Sequence, residues 1–390
     1  MPRARNLALV LLVVALHGAA TAEEELSVAK GRGRAEELWV KIAPFFAPPG
    51  GFAGDLGGYR PVLQFYDGRW VKTPADWKKR REEILALWHR TLGPWPPLLE
   101  RPAITYLEKE HVENFTRHKV RVEVAPGLAT EAYLLVPDGE GRRPAVLTVF
   151  YGPEDAAGLV EKARGRHDFG YQLTKRGFVT LNIGNPGFYY PSKENAQLQP
   201  LSFLAYVAAN CHTLLSQLPE VDGERIGVVG HSFGGKWALF ASCLYEKFAC
   251  ACWCDPGIVF DESRPNVNYW EPWYLGYERV RERKPGVPST ENPRTGPYKW
   301  VMENGHDLVE LHALMAPRPF LVSGGSEDPP ERWRVLNHAV AVNKLLGHEG
   351  RVGMTNRPTH GPTPEAVEQI GLFFEYFLKA GQTSAVSVEP

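Results

Sequence analysis

The sequence has few cysteines and almost no net charge, and each of these features argues against a class of protein. The 390 residues include five cysteines, an odd number that is unexpected in a secreted protein held together by a full set of disulfides. Lysine and arginine total 44, against 45 for aspartate and glutamate. So balanced a chain has no electrostatic basis for binding nucleic acid or an anionic membrane. Beyond residue 22 there is also no apolar run long enough to cross a bilayer.

The first 22 residues have the three parts of a secretory signal peptide. Arg3 and Arg5 precede an apolar run from Leu7 to Leu16, and small residues follow in Ala20-Thr21-Ala22. The run is too short to anchor the chain in a membrane, so we expect cleavage after Ala22 and a secreted or periplasmic mature protein. The absence of cysteine near this point excludes a lipoprotein anchor.

The five cysteines are placed like small apolar residues. Cys250, Cys252 and Cys254 alternate along one predicted strand, so their side chains share a face and are poorly placed to bridge each other. Cys211 and Cys243 fall on the apolar faces of two predicted helices. We therefore expect buried thiols with no metal site and no cofactor, while a Cys211–Cys243 disulfide stays open.

Residues 23–115 show no alternating pattern and are predicted to form an arm packed on the main domain. Ala47-Pro48-Pro49-Gly50-Gly51 would break any regular element. One helix is well marked: Thr73 at the N-cap, Pro74 at the first position and Asp76 at the third, with an end at Gly93.

Short apolar runs alternate with helical patterns over residues 116–380, which we assign to the catalytic domain, with 381–390 as a flexible tail. This alternation predicts an α/β fold: a mainly parallel, eight-stranded sheet with helices on both faces. An insertion rich in Trp, Tyr and Pro, about residues 255–317, separates the sixth predicted strand from the seventh. The predicted strands are an antiparallel pair, Arg117–Val124 and Glu131–Val136, and then Ala145–Phe150, Phe178–Ile183, Ile226–Val229, Phe248–Cys254, Phe320–Ser323 and Arg351–Met354.

One G-x-S-x-G motif joins an apolar strand to a helix, which is where a nucleophile needs to be. It reads Gly230-His231-Ser232-Phe233-Gly234. The tight turn lifts the Ser232 hydroxyl above the sheet edge, and the Phe233 amide at the helix start can face a developing oxyanion. The Tyr151 amide, which follows the third predicted strand, is the candidate for the second donor.

A serine needs a base, and the base needs an acid to orient it. His360 follows the last predicted strand and is the candidate base. Three carboxylates compete for the acid's role. Asp328 and Glu327 follow the seventh predicted strand, and Asp255 ends the sixth; we expect Asp328, then Asp255, then Glu327.

The span from about 115 to 380 resembles the α/β-hydrolase superfamily, and two branches compete within it. The elbow after Asp222-Gly223 and the strand Tyr133–Pro137 resemble dienelactone hydrolases and acetylxylan esterases. Lys236, Asp255 and the segment from His306-Asp307-Leu308 to Ala316-Pro317-Arg318-Pro319 resemble glucuronoyl esterases. That likeness implies a sugar-binding role for Lys236, which is otherwise an ordinary solvated residue of the first helical turn. Glucuronoyl esterases usually carry Arg directly after the serine, where this chain has Phe233.

Together these features predict a secreted serine carbohydrate esterase that acts through an acyl-enzyme without metal on a small ester or a polysaccharide. Trp270 and Trp273 in the insertion are candidates for stacking on sugar rings, or else they form the insertion's own core. The alternatives are a peptidase of the prolyl-oligopeptidase kind, whose long propeller is missing, and a catalytically dead hydrolase fold used as a binding module. The sequence does not indicate the oligomeric state.

Overall fold

A computed structural model of the protein describes residues 31–163, 165–186, 198–265, 268–278 and 283–380. The predicted signal peptide and the tail of residues 381–390 lie outside these ranges. None of the helices within them is long and apolar enough to span a bilayer.

Nine strands form one sheet in the order β1-β2-β3-β5-β4-β6-β7-β8-β9. The strands from β4 to β9 run parallel, whereas β1, β2 and β3 form an antiparallel extension that joins the rest where β3 pairs with β5. Their bounds are β1 Ile104–Val112, β2 Phe115–Ala125, β3 Leu128–Pro137, β4 Arg143–Val149, β5 Val179–Ile183, β6 Val221–His231, β7 Cys250–Cys254, β8 Phe320–Gly324 and β9 Val352–Asn356.

Helices cover both faces of the sheet, so the parallel strands are buried on both sides. One core includes side chains of α2, α5, α6, α8 and α9, and a second core on the opposite face includes those of α4 and α10. The helices are α1 (residues 31–42), α2 Pro74–Leu92, α3 Pro153–Ala156, α4 Phe169–Lys175, α5 Pro200–Gln217, α6 Phe233–Leu244, α7 Gly296–Glu303, α8 Val309–Ala313, α9 Trp333–Leu345 and α10 Pro364–Glu375, which continues in a π-turn, Tyr376–Ala380.

The predicted α/β architecture is confirmed, with one strand more than the eight expected. The additional strand, β1, lies inside the stretch that we had assigned to the arm. Seven of its nine residues are exposed and it pairs only with β2, at the edge of the sheet. A strand with no buried face has no reason to alternate apolar with polar residues, so the sequence pattern does not mark it.

The cysteines are buried and unbridged. All five thiols are free, so the open possibility of a Cys211–Cys243 disulfide is not realised. Cys250, Cys252 and Cys254 share one core while their neighbour Trp253 packs in the other, as strand alternation predicts. Burial raises the pKa of each thiol, which keeps the thiols protonated.

A buried polar cluster connects the segment before β1 to helix α8. Glu310 on α8 accepts hydrogen bonds from Tyr66 at 3.0 Å and from the Trp88 indole at 3.2 Å. Its other neighbours are His306 at 2.8 Å and Arg80 at 3.5 Å, and the Arg80 side chain is fully buried. Helix α2 supplies Arg80 and Trp88, and its capping box of Thr73 and Asp76 is formed as predicted.

Removing the Glu310 carboxylate should destabilise the protein strongly, because Tyr66, Trp88 and the buried Arg80 would all lose their contact with one buried carboxylate. We expect Glu310→Ala to lower the free energy of unfolding by about 3 kcal/mol in urea titrations. Glu83 is the matched control: it also pairs with Arg80 but is partly exposed, so Glu83→Ala should cost about 1 kcal/mol. Equal losses in the two variants would contradict a docking role for the buried cluster.

Candidate active site

Ser232 occupies a strained turn between β6 and α6. Its backbone has φ 56° and ψ −113°, a left-handed conformation that non-glycine residues rarely adopt. Two glycines make the turn sterically feasible: a Cβ at Gly230 would lie 2.2 Å from the Gly234 oxygen, and a Cβ at Gly234 would lie 2.0 Å from the Val149 oxygen. The Ser232 amide donates to the Cys254 oxygen at 2.8 Å, which fixes the turn against β7.

His360 reaches Ser232 from the loop between β9 and α10. Its Nε2 lies 2.9 Å from the Ser232 Oγ. Arg357, which the sequence gave no reason to single out, holds this loop in place. Its guanidinium donates to the carbonyl oxygens of His360 at 2.6 Å and Gly361 at 2.8 Å, and to Ser323 at the end of β8.

Asp255 is the carboxylate that contacts His360, and our preference for Asp328 is therefore wrong. The Asp255 Oδ2 lies 2.7 Å from the His360 Nδ1, and the Asp255 side chain is fully buried. Asp328 is turned the other way: its carboxylate accepts hydrogen bonds from the amides of Gly257 and Ile258. The carboxylate of Glu327, the third candidate, lies 3.4 Å from the Arg264 guanidinium. A backbone φ of 49° at Asp255 directs the chain after β7 so that the short side chain reaches the imidazole.

The two candidate oxyanion donors lie on adjacent elements beside Ser232. Phe233 is the first residue of α6, and Tyr151 follows β4. Their rings stack with centroids 4.9 Å apart. Within the described ranges, neither amide donates to another backbone oxygen. Both amides therefore stay candidates for holding an oxyanion.

A small polar cavity opens above these residues. Its volume is about 300 Å³, at the low end of the range for small-molecule sites. Sequence reasoning did not single out Asn268 or Ser326, because isolated polar residues in irregular segments carry no pattern. The cavity is lined by Tyr151, Ser232, Lys236, Asn268, Trp273, Tyr274, Ser326, Glu327 and His360.

Only part of the aromatic insertion faces this cavity. Trp273 and Tyr274 line it, with ring centroids 4.0 Å apart. Trp270, which we expected to bind substrate, is fully buried in the core of the insertion, and so is Tyr269. The expectation for Trp270 is therefore wrong, because three residues along an irregular segment are enough to turn one ring inward and the next outward.

Lys236 is a buried ammonium group at the wall of the cavity. It is 4% exposed, so it is not the ordinary solvated residue of the alternative interpretation. Its Nζ donates to the Pro256 oxygen at 2.6 Å and lies over the rings of Tyr269 and Tyr274. Burial lowers the pKa of Lys236 to about 8, although the acids Asp328, Glu327 and Asp255 act in the opposite direction.

His231 packs against the candidate base without joining its hydrogen bonds. Its ring lies 4.7 Å from that of His360 and 4.9 Å from that of His167. One nitrogen contacts the Cys254 oxygen at 3.2 Å. Burial holds the pKa of His231 well below its ordinary value, so a neutral ring supports the His360 imidazole.

A larger groove, of about 930 Å³, lies at the other end of the sheet. Ala249, Pro319 and Arg351, which line it, immediately precede β7, β8 and β9, whereas Ser232, Asp255 and His360 follow the carboxyl ends of β6, β7 and β9. In parallel α/β sheets the reactive groups gather at the carboxyl ends, so the smaller cavity is the candidate active site.

Two sequence comparisons match parts of the chain. The family model for the C-terminal region of BAAT and acyl-CoA thioester hydrolases matches residues 204–291, from α5 into the insertion. The 2,6-dihydropseudooxynicotine hydrolase of Paenarthrobacter nicotinovorans is 27% identical over 140 residues, or 35% of this chain. The match spans only about a third, 34%, of that relative's length.

Solved structures share the fold over most of this chain. A promiscuous esterase of carbohydrate esterase family 15 from a marine bacterial metagenome has a TM-score of 0.63 at 19% identity, covering 82% of this chain and 96% of that one. A glucuronoyl esterase from Solibacter usitatus has a TM-score of 0.62 at 20% identity, covering 85% of this chain and 100% of that one. The fold is that of the α/β-hydrolases. A putative acetyl xylan esterase from Bacteroides fragilis shares the α/β-hydrolase fold more loosely, with a TM-score of 0.53 at 14% identity over 77% of this chain and 80% of that one.

Proposed function

We propose that the protein is a serine carboxylic-ester hydrolase that acts on a carbohydrate ester through an acyl-enzyme. One observation carries the proposal: the continuous line of contacts from Ser232 through His360 to a buried Asp255, beneath a polar cavity. A hydroxyl, an imidazole and a carboxylate at these distances are what nucleophilic acyl transfer needs.

In the first half-reaction the Ser232 Oγ attacks the ester carbon while His360 Nε2 takes its proton. The amides of Phe233 and Tyr151 hold the negative charge that develops on the carbonyl oxygen. Asp255 holds the Nδ1 proton of His360 and stabilises the imidazolium. The imidazolium then passes its proton to the leaving alcohol as the ester C–O bond breaks, which leaves the acyl group on Ser232.

The second half-reaction uses the same groups with water as the nucleophile. His360 accepts a proton from water as the water oxygen attacks the acyl carbon. It passes that proton to the Ser232 Oγ when the bond between Oγ and the acyl carbon breaks. The products are the free carboxylic acid and the restored serine. Because the base must be unprotonated to accept a proton in each half-reaction, low pH should slow both half-reactions.

We favour a sugar-acid ester, of the kind that glucuronoyl esterases cleave, over an acetyl ester. An acetyl group would fill little of a 300 Å³ cavity and would offer no hydroxyl to Lys236, Asn268 or Ser326. The contact of His360 with Asp255 also follows the glucuronoyl-esterase pattern. Phe233 departs from that pattern, because it places an aromatic ring against Tyr151 where those enzymes usually have an arginine.

A panel of three substrates tests this choice: benzyl glucuronate, acetylated xylan and a short aryl acetate. We expect the highest kcat/KM on benzyl glucuronate. Faster release of acetate from xylan would move the proposal to acetylxylan esterases. Inactivity towards all three would contradict an esterase of this class.

Lys236→Met should slow hydrolysis of the sugar-acid ester selectively, because a hydrogen bond from a charged donor is worth about 1.5–3 kcal/mol. We expect kcat/KM for benzyl glucuronate to fall about ten- to hundredfold and that for the aryl acetate to stay within about threefold. The exposed lysine Lys247, replaced in the same way, should change neither. Equal losses on both substrates would show that Lys236 supports the fold of the site rather than the sugar.

The lowered pKa of Lys236 adds a pH signature. Above about pH 8 the ammonium group loses its proton, so kcat/KM for benzyl glucuronate should decline there in the wild type and not in Lys236→Met. The free energy of unfolding should change in the opposite direction to kcat/KM above about pH 8. The unfolded chain binds more protons than the folded one between about pH 8 and the ordinary lysine pKa, so the free energy of unfolding should rise across this interval.

We also propose that the protein works outside the cytoplasm, after removal of residues 1–22. The mass of the protein recovered from the periplasm or medium of an expressing bacterium tests this. Cleavage after Ala22 is the expected result, and retention of the full-length chain in the cytoplasm would contradict it.

A further inference from the structure

Two buried carboxylates beside the site each hold the loop that carries the other. The Asp255 carboxylate accepts hydrogen bonds from the amides of Gly325 at 2.6 Å and Asp328 at 2.9 Å, both in the loop after β8. The Asp328 carboxylate accepts hydrogen bonds from the amides of Gly257 at 2.8 Å and Ile258 at 2.7 Å, both in the loop after β7. We call this reciprocal arrangement the carboxylate clamp.

The clamp has almost no free space in it. A Cβ at Gly325 would lie 2.3 Å from the Thr359 oxygen and 2.6 Å from the Asp255 Oδ2. Thr359 directly precedes His360, so the loops after β7, β8 and β9 are in contact at this point. Asp255 is also held at a φ of 49°, which needs support from its surroundings. A shift of the chain at residues 257 and 258 would therefore move the Asp255 carboxylate relative to the imidazole.

The charges of the two carboxylates also indicate that the carboxylate clamp is more than a packing contact. Burial and the neighbouring Asp255 raise the pKa of Asp328, while its two backbone amides lower it. Two cations lie near the pair: Arg332, whose Nε is 4.0 Å from the Asp328 Oδ1, and the buried Lys236, which interacts with both carboxylates. A second carboxylate this close to Asp255 is costly, and hydrogen bonding to two amides offsets that cost.

We propose that Asp328 is a positioning residue: it fixes the backbone that follows Asp255, and through Asp255 it sets the orientation of the His360 imidazole. The proposal rests on the proposed function, because it assigns Asp328 a part in the same acyl transfer. Asp328 touches neither His360 nor the substrate, so its effect is indirect and smaller than that of Asp255.

Asp328→Asn is the test, since it keeps the shape and replaces one acceptor oxygen by a donor that faces a backbone amide. We expect kcat to fall about ten- to hundredfold with KM within about twofold, the cost of a slightly misplaced catalytic group. The far-downfield proton NMR resonance of the His360 Nδ1 proton should shift or broaden. Asp328→Ser keeps one small acceptor and removes the charge, and it should change kcat in the same direction if the asparagine variant folds poorly.

Asp307 provides the matched control. It is also buried, and its Oδ1 accepts hydrogen bonds from two backbone amides, those of Phe260 and Leu308, but among the described residues it makes no hydrogen bond to Ser232, His360 or Asp255. Asp307→Asn should leave kcat and the downfield resonance unchanged, because the asparagine keeps the oxygen that accepts both hydrogen bonds. If Asp328→Asn behaves like Asp307→Asn, the positioning role is overturned. The wild-type protein is treated with a fluorophosphonate in the same experiment. If it is labelled, that outcome overturns the positioning role alone; if it is not labelled, the proposed function itself fails.

Discussion

Ser232→Ala should abolish ester hydrolysis and leave the fold intact. The change removes the oxygen that forms the acyl-enzyme, and no other hydroxyl among the described residues contacts the His360 Nε2. Loss of a nucleophile of this kind costs at least about three orders of magnitude in kcat. Stability should change little, because the alanine keeps the Cβ and the backbone hydrogen bond to Cys254.

Ser326 gives the matched control for this variant. It lines the same cavity, and its hydroxyl contacts the carboxylate of Glu327 rather than His360. Ser326→Ala should alter KM at most, so kcat measured on benzyl glucuronate or an aryl ester separates the two serines. A Ser232→Ala protein that retains a tenth or more of the wild-type kcat would contradict the assignment.

Asp255→Asn should cost three to four orders of magnitude in kcat with little change in KM. The asparagine can donate to the His360 Nδ1 instead of accepting from it, which favours the tautomer with the proton on Nε2. That tautomer cannot take the serine's proton. Because Asp255 also accepts hydrogen bonds from the amides of Gly325 and Asp328, the melting temperature should fall as well, by more than in Ser232→Ala.

The comparison with Asp328→Asn makes this prediction specific. We expect the Asp255 variant to be at least tenfold less active than the Asp328 variant, since only Asp255 contacts the imidazole. Full activity in Asp255→Asn, together with an inactive Asp328→Asn, would contradict the contact seen here and restore the acid that we preferred from the sequence. The double variant should be little worse than Asp255→Asn alone, because the two residues act in one chain of contacts.

The sequence identified the serine turn because sterics leave few choices there. A strand, two glycines in fixed positions and a helix define the turn at Ser232, and each part has a local signal. The position of His360 followed from the order of the strands. The sequence did not distinguish Asp255 from Asp328, because both follow neighbouring strands and the direction of each side chain depends on the backbone turn that comes after it.

Two other errors have a similar origin. Trp270 and Trp273 look equivalent in an irregular segment, and only tertiary packing turns Trp270 into the core. Strand β1 is exposed at the sheet edge, so its existence depends on pairing with β2 rather than on a hydrophobic pattern. Local signals are therefore reliable where the backbone is sterically constrained, and they fail where tertiary contacts decide.

The most direct test of the proposed serine mechanism is to locate the adduct of a fluorophosphonate probe by mass spectrometry. The probe phosphonylates a serine only where a base and oxyanion donors activate it. We expect one adduct on the peptide that contains Ser232 in the wild-type protein, and none on that peptide in Ser232→Ala. An unlabelled wild-type protein, as a catalytically dead hydrolase fold would be, or an adduct on a different serine would contradict the mechanism.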